Sequence, residues 1–203
     1  MYFEKRIPLF TALGFREEAL PLLKNYVDLL WKSNEELNLF SRQMSFEELI
    51  DNHVIDCLLP LLHFPPGLKT VADFGSGGGL PAVICALQFS GTQFHLYEKS
   101  IKKQDFLQRC KSIAPNIHVH GLITPDLPAV DLVVCRAFKP IDVILELSRD
   151  YYNSLGKYFL LKGRKEKIDE EVILALKKFK NLKVEIKPLK SPVLEVERHL
   201  VLI

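Results

Sequence analysis

The hydrophobic period of the chain changes once, near residue 65, and that change restricts the folds open to it. Before it, apolar residues recur every three or four positions. Over 16–31 they are Ala19, Leu20, Leu23, Tyr26, Val27 and Leu30, the spacing of an amphipathic helix. Pro21 stands near its start, where a missing N–H costs little. Over 46–62 they are Phe46, Leu49, Ile50, Val54, Leu58, Leu61 and Leu62. Ser45 and Glu48 stand in front as a capping box. Pro65, Pro66 and Gly67 end the pattern. Residues 1–65 are therefore expected to form a helical N-terminal cap on residues 66–203, the two making one compact unit.

After the break, short apolar runs alternate with helical segments. Strands are expected over 70–75, 93–98, 116–121, 130–136, 158–163, 182–188 and 198–203. Helices are expected over 80–90, 101–112, 141–153 and 167–180. This order predicts an α/β fold with a doubly wound, mostly parallel sheet. The short link between the last two strands predicts an antiparallel hairpin. Ligands of such a sheet bind at the carboxyl ends of its strands, here the ends of 71–74, 94–97, 117–120 and 131–135.

The strongest local signal lies at the first of these ends. "VADFGSGGGLPA" (71–82) runs from a strand through Gly75, Gly77, Gly78 and Gly79 into a helix. Glycines there permit positive φ and close approach of a ligand to the backbone. Glu98, at the end of the next strand, is placed to accept the ribose hydroxyls of a nucleoside. A ligand-free turn does not explain four glycines in five residues. Gly77-x-Gly79-x-x-Ala82 formally fits a dinucleotide loop, which keeps a nicotinamide-dependent oxidoreductase as an alternative. Asp73 favours S-adenosylmethionine instead. A carboxylate two residues before the first glycine repels a pyrophosphate but attracts the amino and sulfonium cations of that cofactor.

Composition excludes other classes. A hydrophobic fraction of 48% and a charged fraction of 26% belong to a folded globular chain. Cys57, Cys85, Cys110 and Cys135 include no C-x-x-C pair, so they read as buried thiols, with no metal site expected. No stretch of 18 uncharged apolar residues occurs. The charged, Pro8-containing start is unlike a signal peptide. A cytoplasmic monomer with no membrane partner is expected.

At this point the sequence resembles a known family. "NLFS" (38–41), "DNHVIDCLL" (51–59), "DFGSGGGLP" (73–81), "CRAF" (135–138), "LLKGR" (160–164) and "ERHLVLI" (197–203) fall in the order found in the bacterial 16S rRNA guanine-N(7) methyltransferases called RsmG or glucose-inhibited division protein B. The resemblance implies a seven-stranded, Rossmann-like class I methyltransferase fold. It implies methyl transfer from S-adenosylmethionine to nitrogen-7 of a guanine in 16S rRNA, naked or in a small-subunit particle. It places Gly75 and Leu80 on the cofactor loop, and Ile123 and Thr124 on the adenine-contacting turn. Arg136 falls beside cofactor and target base. Glu98 stands where relatives usually carry aspartate. Leu122 stands where they commonly carry arginine. A catalytically impaired, cofactor-binding assembly protein is the alternative that this departure leaves open.

Nitrogen-7 of guanine has a free lone pair, so no general base is needed and positioning dominates. Arg136, emerging from an apolar strand, is the candidate catalytic residue, with a structural salt bridge as the competing explanation. Phe138 reads equally as a stacking platform or a core aromatic. Lys162, Arg164 and Arg198 are the candidate RNA contacts at the same edge. His199 is read as structural, His53 and Asp56, three apart, as a structural hydrogen-bonded pair in preference to metal ligands, and Asp131 as a turn residue. His118 and His120 lack further ligands. The formal net charge of +2 hides +6 over residues 157–190, against −3 over 1–156 and −1 over 191–203. A basic rim beside Lys162 is therefore expected to meet RNA phosphates.

Overall fold

In a computed structural model of the chain, residues 2–124, 127 and 129–203 are described. The helical part opens with α1 (Tyr2–Ala12), which the apolar spacing does not single out and which carries Pro8 inside it. Phe3 and Phe10 anchor it in the core. Tyr2 and Arg6 both donate to the Asp51 carboxylate. The helix expected over 16–31 is a 3-10 turn (Glu17–Ala19) followed by α2 (Leu20–Leu37), with Pro21 in its first turn. The helix expected over 46–62 is not continuous. Behind the Ser45–Glu48 capping box, α3 (Phe46–Leu49) opens into a π-helical turn over Ile50–Val54 and then α4 (Ile55–Leu58). Ile50 and Val54 stay buried through the wider turn.

The strand–helix alternation follows: β1 (Thr70–Phe74), α5 (Ala82–Gln88), β2 (Gln93–Tyr97), α6 (Ile101–Cys110), β3 (Ile117–His120), β4 (Leu132–Arg136), α7 (Ile141–Leu147), α8 (Arg149–Asn153), β5 (Tyr158–Lys162), α9 (Lys165–Lys178), β6 (Glu185–Leu189) and β7 (Arg198–Leu202). The seven strands lie in the order β3-β2-β1-β4-β5-β7-β6. β7 runs antiparallel to both neighbours, closing the expected hairpin. The other pairs are parallel. β4 opens at Leu132 and not at 130, because Asp131 turns aside to accept the N–H groups of Lys69 and Thr70. That is the turn role read from its position. The helix expected over 141–153 breaks at Ser148. The hydroxyl of Ser148 bonds to the Ile144 carbonyl and to the Tyr158 hydroxyl, and the residue is fully buried.

Two apolar layers hold the sheet. One joins its first face to the cap helices, α5 and α6; the other packs α7 and α9 on the second face. The four cysteines are free and buried in these layers, and burial pushes the Cys57 and Cys110 thiols up to about 12. No described helix is long and apolar enough to cross a membrane.

Candidate active site: two cavities with one shared wall

β1 and β4 are neighbours in the sheet, yet their helices leave in different directions, so a crevice opens between their carboxyl ends. The glycine loop floors it. Gly75, Gly77 and Gly79 have φ of +72°, +53° and +86°, values that side-chain-bearing residues rarely adopt. At Gly75 a side chain has no room either: a Cβ would come within 2.2 Å of the Phe138 ring. The Leu80–Pro81 peptide is cis.

The loop's donors are largely spoken for. The N–H groups of Gly75 and Ser76 bond to the Tyr97 carbonyl, and that of Gly79 to the Ser76 carbonyl. Gly77 N–H donates to Glu98 Oε2 at 3.0 Å, and Ser100 N–H to Glu98 Oε1 at 2.8 Å. A pyrophosphate, which needs such amides free, finds few. Glu98 keeps one acceptor site on each oxygen, enough for two neighbouring hydroxyls. The cavity above the loop measures about 500 Å³ and is lined by Gly75, Gly77, Leu80, Glu98, Ile123 and Arg136 among others. Gly79 and Thr124, expected at the cofactor, do not line it. Gly79 turns inward against Val83 and the Tyr26 hydroxyl. Leu122 stands on the cavity rim, 71% exposed.

Asp73 is not on the cavity wall but behind the loop, 1% exposed, and neither carboxylate oxygen has a hydrogen-bond partner among the described residues. The Ser76 hydroxyl bonds to the Asp73 backbone carbonyl. Burial pushes the carboxyl up to about 7. An orphaned buried carboxyl beside a glycine cradle suits a ligand that brings a cation.

A second cavity, of about 700 Å³, opens between the cap and the ends of β4, β5 and β7. Met44, Asn52, His53 and Asp56 line one side; Lys162, Arg198 and His199 line the other. Arg136, Ala137, Phe138 and Lys139 line both cavities. Ala137 has φ +50°, a left-handed backbone in a residue that seldom takes it. Nothing in its sequence context announces this.

Arg136 corrects one expectation. It is not a free rim residue. Its guanidinium donates to Asp56 Oδ2 at 2.8 Å and to His53 Nδ1 at 2.7 Å, with the side chain 13% exposed. Asp56 turns its other oxygen to Arg198. The hydrogen bond between His53 and Asp56 expected from their spacing is not formed; both instead meet Arg136. Burial and the adjacent Arg136 charge hold the His53 imidazole down at about 4.

The RNA-contact expectations divide. Lys162 is held at 2.8 Å by Glu171, which also accepts the Ile141 N–H. Its ammonium also donates to the Lys139 carbonyl. Both Lys162 and Arg198 are thus spent on internal pairs, with partners that come from other elements. Arg164 is exposed, and its guanidinium has no partner among the described residues. The basic rim is likewise redistributed. Lys165, Lys167, Lys178 and Lys187, like Lys162, pair with carboxylates. Lys157 precedes β5, and Lys180 and Lys183 precede β6, which the register shows running in the same direction. These three sit toward the amino-terminal edge of the strands, away from the cavities. Arg164 and Lys190, after the same strands, sit at the ligand edge. Sequence reasoning missed Lys99, Lys103 and Lys139, which line the cofactor-sized cavity. Lys99 and Lys103 stand four residues apart around the start of α6, and Lys139 follows β4.

Phe138 lies over Gly75 and also packs on the second apolar layer, so both of its readings hold in part. His199 Nδ1 donates to the Gly163 carbonyl, a structural bond. His95 and His120 share a hydrogen bond at 2.9 Å, and His118 stacks on His95. Among the described residues no cluster of three His, Cys, Asp or Glu side chains is placed to hold a metal.

The chain is similar to known proteins in sequence and in fold. A family model described as rRNA small subunit methyltransferase G matches residues 19–201. The chain is 70% identical over 202 residues to "Ribosomal RNA small subunit methyltransferase G 1" of Bdellovibrio bacteriovorus, covering 100% of this chain and 98% of that one. It is 32% identical to "Ribosomal RNA small subunit methyltransferase G" of Brachyspira hyodysenteriae, covering 89% and 88%. Among solved structures it is similar to the precorrin-6y C5,15-methyltransferase of Geobacter metallireducens, with a TM-score of 0.54 at 15% identity, over 80% of this chain and 90% of that one. It is also similar to the N-terminal domain of human METTL16 in complex with SAH, with a TM-score of 0.55 at 13% identity, over 99% and 92%. These two share the fold.

Proposed function

The chain belongs to the rRNA small subunit methyltransferase G family, and from that premise we propose that it transfers a methyl group from S-adenosylmethionine to nitrogen-7 of a guanine in 16S rRNA. One observation carries the reading: two cavities of suitable size meet at a single wall, Arg136–Lys139. One suits a nucleoside cofactor, and the other opens outward between cap and sheet for a base.

The cofactor, when bound, supplies an electrophilic methyl group. The protein's own residues do the rest. Glu98 accepts the ribose hydroxyls, while Gly75, Gly77, Leu80 and Ile123 shape the surface under the nucleoside. Asp73 places negative charge behind the loop for the amino group. Arg136, fixed by Asp56 and His53, forms the floor where the two cavities join, and Phe138 beside it offers a ring face. No residue has to remove a proton, because nitrogen-7 attacks through a free lone pair. Catalysis then rests on alignment and on holding a base outside its stack, which costs about a few kcal/mol. Arg164, Lys139 and Lys190 meet RNA phosphates. The base cavity's two carboxylates, Asp56 and Glu171, are already neutralised by cations.

The nicotinamide alternative loses support because the loop amides are occupied. The impaired-enzyme alternative rested on Leu122, which touches only the rim. We read residues 1–65 as the cap that walls the base cavity, and the protein as a cytoplasmic monomer. Deleting the gene and mapping nitrogen-7 methylation across 16S rRNA tests the reading. Loss of one methylated guanine, restored by the unaltered gene, is expected; unchanged methylation overturns it.

A further inference from the structure

The function proposed above leaves open how guanine is told from adenine. Nitrogen-7 is present in both bases and carries no information. The neighbouring position does: guanine shows the O6 acceptor there, adenine the N6 amino donor. A fixed donor on the base-cavity wall near the shared Arg136 wall would accept one and reject the other.

His53 meets that requirement by its tautomer. The Arg136 guanidinium has only donors, and it lies 2.7 Å from His53 Nδ1. Nδ1 must therefore accept, and in the neutral ring the proton resides on Nε2. Nε2 has no partner among the described residues and is not sealed off, in a residue that lines the base cavity. The ring is braced from behind by Phe40, with centroids 6.2 Å apart. We propose that the His53 Nε2–H is the donor that reads guanine O6, making His53 the residue that sets base specificity. The inference rests on the base cavity being the guanine site.

Two charged donors on this wall suit the task less well. Lys139 is exposed with no carboxylate beside its ammonium among the described residues, and an uncompensated positive charge next to nitrogen-7 opposes the cation formed when the methyl arrives. Arg198 is held by Asp56 and by the Glu197 carbonyl. His53 is a neutral donor at physiological pH, so it reads O6 without adding charge.

Two substitutions separate this role from that of a prop for Arg136. His53→Asn keeps an acceptor near the Nδ1 position, and so keeps Arg136 held, but has nothing at Nε2. His53→Gln puts a donor near Nε2 and gives up the acceptor. Each is assayed on 16S rRNA ligated to carry guanosine, inosine or 2-aminopurine at the mapped position. The first two bases keep O6; the third lacks it and keeps nitrogen-7. The unaltered enzyme should methylate guanosine and inosine at least about tenfold more efficiently than 2-aminopurine. His53→Asn should lose that preference by slowing on the first two bases only, and His53→Gln should retain most of it. A preference unchanged in His53→Asn, or activity on all three bases lost in His53→Gln and kept in His53→Asn, overturns the proposal. No methylation of guanosine by the unaltered enzyme overturns the functional reading beneath it as well.

Discussion

Arg136 at the end of β4 and Asp56 on α4 are joined across 80 residues of sequence by an ion pair of 2.8 Å. That bond makes the candidate catalytic residue a structural one too. Removing one partner of a buried pair leaves a charge without compensation. Arg136→Ala leaves Asp56 still paired with Arg198, so it should cost less stability than the ~3 kcal/mol of an uncompensated buried charge, along with methyl transfer. Asp56→Ala should cost more, since it leaves the Arg136 and Arg198 guanidinium groups facing each other. Urea denaturation of both variants beside the unaltered protein checks the order. If Arg136→Ala is as stable as the parent, the pair is not holding the cap.

Gly75 allows a different kind of test. Its φ of +72° disfavours a side chain, and a Cβ would overlap Phe138. Gly75→Ala should lose about 2 kcal/mol or more and bind S-adenosylhomocysteine at least about tenfold more weakly. Adding Phe138→Ala removes the overlap but not the backbone strain, so stability should return only in part. Thermal denaturation and calorimetric titration of the single and double variants measure both effects. Full recovery would mean that the left-handed backbone costs nothing.

Glu98 accepts a backbone N–H on each oxygen. Glu98→Gln presents an amide group where one of those N–H groups points, so the loop must shift. Affinity for S-adenosylhomocysteine should fall about tenfold to a hundredfold, the worth of hydrogen bonds to a charged group. An analogue lacking the ribose hydroxyls should show a smaller drop, the part due to the loop shift alone. Equal losses for the two ligands would place Glu98 in loop support alone.

Asp73 makes a pH prediction. Burial raises its carboxyl from the ordinary 3.8 to about 7, so the folded protein binds this proton more tightly than the unfolded chain does. The sign follows by linkage. The stabilisation is complete below about pH 4 and is lost as pH rises through about 7. Asp73→Asn should abolish that decline and be the more stable form at pH 8, while binding S-adenosylhomocysteine less tightly. Denaturation of both proteins from pH 4 to 8 decides it; parallel curves would contradict an ionising Asp73.

Basic residues 157–190 should not act together on RNA. Replacing Arg164, Lys190 or Lys139 by alanine should weaken RNA binding and lower the salt slope by about one unit each. Replacing Lys180 or Lys183, toward the far edge of the strands, should change neither. Filter binding at several salt concentrations distinguishes the two sets.

The sheet was legible because strand and helix periods are local properties, and Val71–Phe74 or Leu132–Cys135 show theirs without help. The glycine loop and Glu98 were legible for a similar reason: a strand, a tight turn and the next strand fix their geometry. The pairings were not. Glu171 meets Lys162 only because α9 packs beside β5, and Asp56 meets Arg198 across 142 residues. The π-helical turn left the apolar spacing of Ile50 and Val54 intact, so nothing in the pattern betrayed it. The basic stretch misled because its residues are adjacent in sequence, while the crossover between β5 and β6 delivers them to opposite ends of the sheet.

The Tyr26 hydroxyl donates to the Gly78 carbonyl at 2.6 Å, in a fully buried contact between α2 and the glycine loop. The same apolar layer contains Leu23 and Leu30 of α2 together with Val71 of β1 and Val83 of α5. Local opening of α2 therefore exposes the loop's own support, and the two should open as one cooperative unit. In hydrogen exchange, ligand bound over the loop should slow the amides of α2, although α2 contributes no residue to the cavity in which that ligand sits.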